Sequence, residues 1–243
     1  MKNFITTGCS FTAGTIPLPH DNKNAWKNKG SVWPHFCFAE MNPAQDQFIN
    51  LALPGGGNIA AFTNLIYILE NNQQTFRPDN TLIGINITGM HRYDLINDSI
   101  NNDQINKNLC CIDTNGIQHI SDTLGFGWVT GQHFGNQKID ILSAVTIVQS
   151  LAYLELHKFN YFFMLMNNAI YDYSPEWFKH ALNKRKSNWI TFNEYIGMFE
   201  FVEQLKQTTN DGHPSTDGHK SIGRVVLDFI NTKHKNYLNH YAE

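Results

Sequence analysis

The chain has 243 residues, of which 42% are hydrophobic and only 16% charged, with a formal net charge of -3. That is enough apolar material for one large domain with a full core, and the expectation is a single domain over residues 1–243. The near-balanced charge with no basic block argues against nucleic-acid binding through a phosphate-neutralising surface, and no apolar run approaches the ~20 residues that span a bilayer.

Residues 3–7 read as a short strand that ends at Gly8, with Ser10 two positions later. Residues 13–30 lack periodicity and read as a loop. Ser31-Val32-Trp33-Pro34 opens a helix, with Ser31 as candidate cap and proline in the first turn. Residues 47–52 form a second strand that runs into the bend Pro54-Gly55-Gly56-Gly57-Asn58, and a helix follows over 59–70. Residues 82–88 are apolar enough for a buried third strand. Residues 95–136 break the rhythm and read as an insertion over one sheet edge, with Asn115-Gly116 as a hairpin signal. A long helix over about 137–157 precedes a fourth strand over 159–166. Residues 174–207 are helical in two pieces, separated near 186–188. The last helix starts after Pro214, capped by Ser215 or Thr216, and runs to about 231. This alternation predicts a three-layer α/β/α architecture on a flavodoxin-like, doubly wound parallel sheet.

Ligands bind such sheets at the C-terminal strand edge. Ser10 lies there, and so does the start of the last helix, which Asp211-Gly212-His213-Pro214 precedes. A serine hydroxyl is a poor nucleophile until an imidazole takes its proton and a third group orients that imidazole. Ser10, His213 and Asp211 fit those roles. Ser10 also fits a helix cap, and Asp211 a turn residue. Asn58 is read as a cap of the following helix or a substrate ligand. Arg92 is read as a carboxylate clamp or the ion-pair partner of Asp94 or another acid. His219 is read as a surface or packing residue. A thiol nucleophile at Cys9 is disfavoured, because neighbouring side chains point apart.

Three blocks in order carry a resemblance. Gly8-Cys9-Ser10-Phe11-Thr12 resembles the first block of the SGNH/GDSL hydrolase superfamily, with cysteine in place of the usual aspartate, as in phage-like and marine sequences. Asn50 through Asn58 resembles the second block, which places the family's oxyanion-hole glycine at Gly55. Asp211-Gly212-His213-Pro214 resembles the last block, although the family acid normally lies three residues before the histidine, at the position of Asn210. The third block's Gly-x-Asn is matched literally by Gly84-Ile85-Asn86, but inside the predicted strand. The equivalent strand end holds Thr88, His91 and Arg92 as substitute oxyanion donors. The resemblance implies the SGNH fold and a serine esterase. Its substrate would be an O-acetylated carbohydrate, a lipid or another small acyl ester. Acyl transfer at the same site, or a non-catalytic binding or virion-associated module, are the alternatives. No cofactor is expected. Four cysteines (Cys9, Cys37, Cys110 and Cys111) show no CxxC spacing, and His91, His119, His133 and His213 show no ligand spacing, so no metal is expected. Without a signal-peptide pattern, a cytoplasmic location with reduced thiols is the expectation.

Overall fold

The computed structural model describes residues 2–13, 32–41, 46–52, 56–90, 92–95, 110–113, 118–119, 136–210 and 212–238; over 92–95, 110–113, 118–119 and 136–140 it describes the backbone. The first half of the chain runs β1 (Asn3–Thr7), α1 (Ser10–Ala13), α2 (Trp33–Ala39), β2 (Gln47–Asn50), α3 (Asn58–Asn71), β3 (Thr81–Ile87), β4 (Arg92–Leu95), β5 (Cys110–Asp113) and β6 (Gln118–His119). The second runs α4 (Asn136–Leu156), β7 (Asn160–Leu165), α5 (Ala169–Asp172), α6 (Glu176–Asn183), α7 (Met198–Gln204) and α8 (Thr216–Lys233).

Four strands form a parallel sheet in the order β2-β1-β3-β7, with Phe4 opposite both Phe48 and Leu82 and Phe162 opposite Gly84. Parallel strands need crossover helices, and those helices cover both faces. β1 and β3 are accordingly buried along their whole length. Alternation then sorts the side chains. On one face Trp33 of α2 meets Phe162 edge-on at 6.3 Å, and Phe229 of α8 lies 6.0 Å from the same ring. On the other face the Thr7 hydroxyl donates to the Ala61 carbonyl of α3 (3.0 Å), and α3 packs on α4. The sheet is thus doubly wound, with α2 and α8 in one layer and α3 and α4 in the other.

Gly84 shows how tightly the first layer closes. A Cβ there would lie 2.7 Å from the Phe162 ring and 3.3 Å from that of Trp33. The glycine of the literal Gly-x-Asn match is therefore needed for packing in the middle of β3.

The predicted elements recur with shifted ends. The cap of α2 falls on Val32, in extended conformation, and Pro34 sits in the first turn, where its missing N–H is harmless; Ser31 lies outside the described residues. Gly57, not Asn58, caps α3. Ser215 caps α8, its hydroxyl accepting from the Gly218 N–H at 3.2 Å. The region read as two helical pieces carries an unpredicted stretch of sheet pairing between α6 and α7. Trp189 bridges to Phe163 and Gly197 to Leu165, both parallel, which prolongs the sheet beyond β7. Isolated bridges of this kind leave no periodic apolar pattern to read.

Within 95–136, β5 and β6 pair antiparallel, with Ile112 opposite Gln118, and β4 joins them from residue 92 onward. The hairpin signal Asn115-Gly116, and how the region lies over the sheet edge, fall outside the described residues. Among the described residues no helix is long and apolar enough to cross a membrane.

Candidate active site

The end of β1 is bent by Gly8, which has φ +145, a conformation L side chains rarely adopt. A Cβ at that position would also lie 2.8 Å from the Asn86 Cβ and 2.9 Å from the Asn86 carbonyl oxygen. Only glycine fits, and the bend lets α1 begin at once with Ser10. The Thr12 and Ala13 N–H groups both donate to the Cys9 carbonyl (2.9 Å each), which closes the short turn. Ser10 is 5% exposed, and Cys9 is fully buried with its sulfur 3.6 Å from that of Met166. The cysteine side chain thus points into the core, away from the edge where the serine hydroxyl lies.

His213 arrives from the other end of the chain on a tight reversal between α7 and α8. The Thr209 N–H and hydroxyl both donate to the His213 carbonyl (2.7 and 2.9 Å), and the Gly212 N–H donates to the Thr209 carbonyl (3.0 Å). Gly212 adopts φ +81 within this turn. Pro214 pairs with Thr208, and Ser215 starts α8 immediately afterwards, so the histidine is fixed just ahead of a long helix. Its Nε2 lies 2.8 Å from the Ser10 Oγ, across 203 residues of sequence. That is the contact a serine needs to lose its proton. The Phe11 ring lies 5.5 Å from the imidazole and Phe199 backs Phe11 at 6.4 Å, both pairs tilted, so two aromatic rings buttress the imidazole. Neither ring stands out in the sequence, because only the fold brings residues 11, 199 and 213 together.

His219 is a second imidazole that the structure brings near the site. It is 5% exposed, and burial, reinforced by the charge of His213, pushes its pKa down to about 4. It is a packing residue, neutral at physiological pH.

The other candidate residues divide clearly. Asn58 is fully buried, and its amide is engaged by the backbone of Thr88: Nδ2 donates to the Thr88 carbonyl and the Thr88 N–H donates to Oδ1, both at 3.0 Å. The Thr88 hydroxyl is also fully buried and lies 3.8 Å from the Met166 sulfur. The pair locks the end of β3 to the start of α3 and leaves Thr88 no N–H to offer an oxyanion. Asn86 lies inside β3, as predicted, with its amide 3.8 Å from the Cys9 sulfur. Gly55, His91 and Asp211 lie outside the described residues, and for Arg92 only its backbone place at the start of β4 is described. Among the described residues no cluster of three or more His, Cys, Asp or Glu could hold a metal ion.

A cavity of about 180 Å³ is lined by Gly89, Met90, Asn167, Ile170 and Tyr173 among others, and neither Ser10 nor His213 lines it. Gly89 and Asn167 follow the C-terminal ends of β3 and β7, so the cavity shares the sheet edge with Ser10.

No protein-family model matches the sequence, and no curated protein does. Solved structures do. The chain is similar to protein YXIM_BACsu from Bacillus subtilis, with TM-score 0.54 and 11% identity over 98% of this chain and 58% of that one, so it spans somewhat over half of that protein's length. It is similar to TesA, with TM-score 0.52 and 10% identity over 95% and 99% of the two chains. It is also similar to a catalytic mutant of Axe2, an acetylxylan esterase from Geobacillus stearothermophilus, with TM-score 0.50 and 13% identity over 94% of each chain. At these identities the likeness is one of fold: the parallel sheet with helices on both sides is that of the SGNH hydrolases.

Proposed function

We propose that the protein is a serine hydrolase that cleaves an ester. The observation that carries this reading is the 2.8 Å contact between Ser10 Oγ and His213 Nε2 at the C-terminal edge of a sheet with this fold. His213 takes the Ser10 proton as Oγ bonds to the acyl carbon. The carbonyl becomes a tetrahedral oxyanion, which backbone N–H groups meet. Ser10 supplies one of them at the start of α1, where the first N–H groups of a helix have no intrahelical acceptor. Gly55 supplies another by the family resemblance, and each such donor is worth ~3 kcal/mol in the transition state. His213 then gives its proton to the departing alkoxide, and water, activated by the same imidazole, releases the acid from Ser10. Asp211 is assigned to orient the ring, again from the resemblance. The substrate class is an acetylated carbohydrate or another small acyl ester, as the family resemblance implies.

The reading is tested by covalent labelling with a fluorescent alkyl phosphonate together with turnover of p-nitrophenyl acetate. Wild type should label and turn over, and folded Ser10→Ala should do neither. A folded wild type that does not label, or a Ser10→Ala protein that labels equally, defeats it.

A further inference from the structure

We infer that Asn50 is a positioning residue for this reaction: its side-chain amide ties the turn that carries Ser10 to the chain that leaves β2 toward Gly55. The inference rests on the serine hydrolase reading.

Asn50 is the last residue of β2 and stands opposite Thr6 in the sheet register. Its amide makes three hydrogen bonds into three segments. Oδ1 accepts from the Thr6 hydroxyl of β1 (3.1 Å) and from the Ala52 N–H (3.1 Å), while Nδ2 donates to the Thr12 carbonyl of α1 (2.9 Å). The orientation of the amide follows from the backbone. The Ala52 N–H can only donate and the Thr12 carbonyl can only accept, so no flipped amide satisfies both.

Each bond meets a need that the backbone leaves open. α1 has only four residues, too few to be held by its own hydrogen-bond ladder. Its last carbonyls have no partner within the helix, and Thr12 is fully buried, away from water. Asn50 supplies that missing donor. Thr12 is bonded in turn to the Cys9 carbonyl, so the amide grips the turn that begins just before Ser10. On the other side, the Leu51 N–H makes a last ladder bond to the Thr6 carbonyl (2.7 Å), and the Ala52 N–H then folds back onto Asn50 itself. One rigid, planar group therefore fixes both the nucleophile turn and the direction in which the next loop departs. A displacement of ~1 Å between reacting groups can cost ~100-fold in rate, so the tie should act on the chemical step.

Asn50→Asp separates the bonds. The carboxylate still accepts from Thr6 and Ala52, but it cannot donate to the Thr12 carbonyl and repels it. With p-nitrophenyl acetate and the full chain, kcat should fall by about 10- to 100-fold with KM within about twofold, and the rate of phosphonate labelling at Ser10 should fall in proportion. Thr6→Val removes one contact and leaves the other two, and should lower kcat no more than about threefold. A folded Asn50→Asp protein with wild-type kcat overturns the inference, whatever its melting temperature. So does a raised KM at unchanged kcat, which would make Asn50 a substrate ligand. A Thr6→Val protein as slow as Asn50→Asp overturns it too, by moving the effect to β1. Should Asn50→Asp not fold, Asn50→Ser, whose side chain stops short of Thr12, should show the same fall in kcat, and wild-type kcat there overturns the inference. A wild type that neither labels nor turns over removes the hydrolase reading and this inference with it. An active wild type matched by its Asn50 variant removes this inference alone.

Discussion

The two ends of the Ser10–His213 contact are both set by a glycine in the left-handed half of backbone space, yet they are held differently. Gly8, before the serine, has φ +145 and sits against the backbone and Cβ of Asn86 in the centre of the sheet. Gly212, before the histidine, has φ +81, and a Cβ there would meet only the Phe199 ring at an ordinary 3.7 Å. Glycine is therefore required at position 8 by conformation and by packing, and at position 212 by conformation alone. Ser10 is built into the core's edge, whereas His213 is brought to it by a surface reversal and steadied by Phe11. On the proposed mechanism, a serine that meets an acyl carbon from a fixed direction gains from the first arrangement, and an imidazole that faces first the serine and then the leaving group is served by the second.

The largest effect that sharpens this comparison is on catalysis. His213→Ala should lower turnover of p-nitrophenyl acetate by ~1,000-fold or more, as loss of a catalytic base does. Its urea midpoint should stay near that of wild type, because the base turn contributes little to the core. Collapse of the fold in this variant would mean that the base turn is as structural as the nucleophile turn.

Gly8→Ala comes next. Left-handed strain adds to a contact with backbone that cannot move aside, so a loss of more than ~3 kcal/mol is expected in urea unfolding. Solubility and thermal melting near those of wild type would refute the crowding argument.

Acid should weaken the fold by a similar amount through His219. In the unfolded chain its pKa is near the ordinary 6.5, and in the fold it lies at about 4. Between those values the unfolded state binds the proton and the folded state does not. Stability is therefore complete above about pH 6.5 and falls as pH drops toward 4, by up to ~3 kcal/mol at 1.36 kcal/mol per unit. His219→Gln should flatten that part of the stability–pH curve in thermal melts from pH 7 to 4. An unchanged slope would assign the acid loss to other groups.

The smallest effect is that of Gly212→Ala. With strain but no crowding, it should cost ~1–2 kcal/mol, less than Gly8→Ala in the same urea assay. Equal costs for the two variants would erase the distinction between the turns.

Much of the frame was legible because it is local. The parallel strands and most helices between them announce themselves by apolar runs, glycine and proline punctuation, and helical spacing. The ends of β1, β2, β3, β7, α3, α4 and α8 fall within one or two residues of those expected, whereas α7 begins at Met198, well after the expected break near 186–188. Ser10 and His213 were legible for the same reason, as each sits at a punctuated element boundary. The cap of α3 was misplaced because Asn58 has a cap's chemistry, yet spends its amide on Thr88, 30 residues away. The pairing of Trp189 and Gly197 with β7 went unread because single bridges have no period.

The sequence by itself determined the layered α/β architecture and singled out the candidate serine and histidine, since these depend on patterns shorter than one helix or loop. Only the tertiary structure decided that Ser10 and His213 touch, that Phe11 supports the imidazole, that His219 is buried beside it, and that Asn50 grips the nucleophile turn. These contacts join residues 38 to 203 positions apart, apart from the near neighbours His213 and His219. Their partners are chosen by which strands lie adjacent in the sheet, and no local spacing encodes that choice.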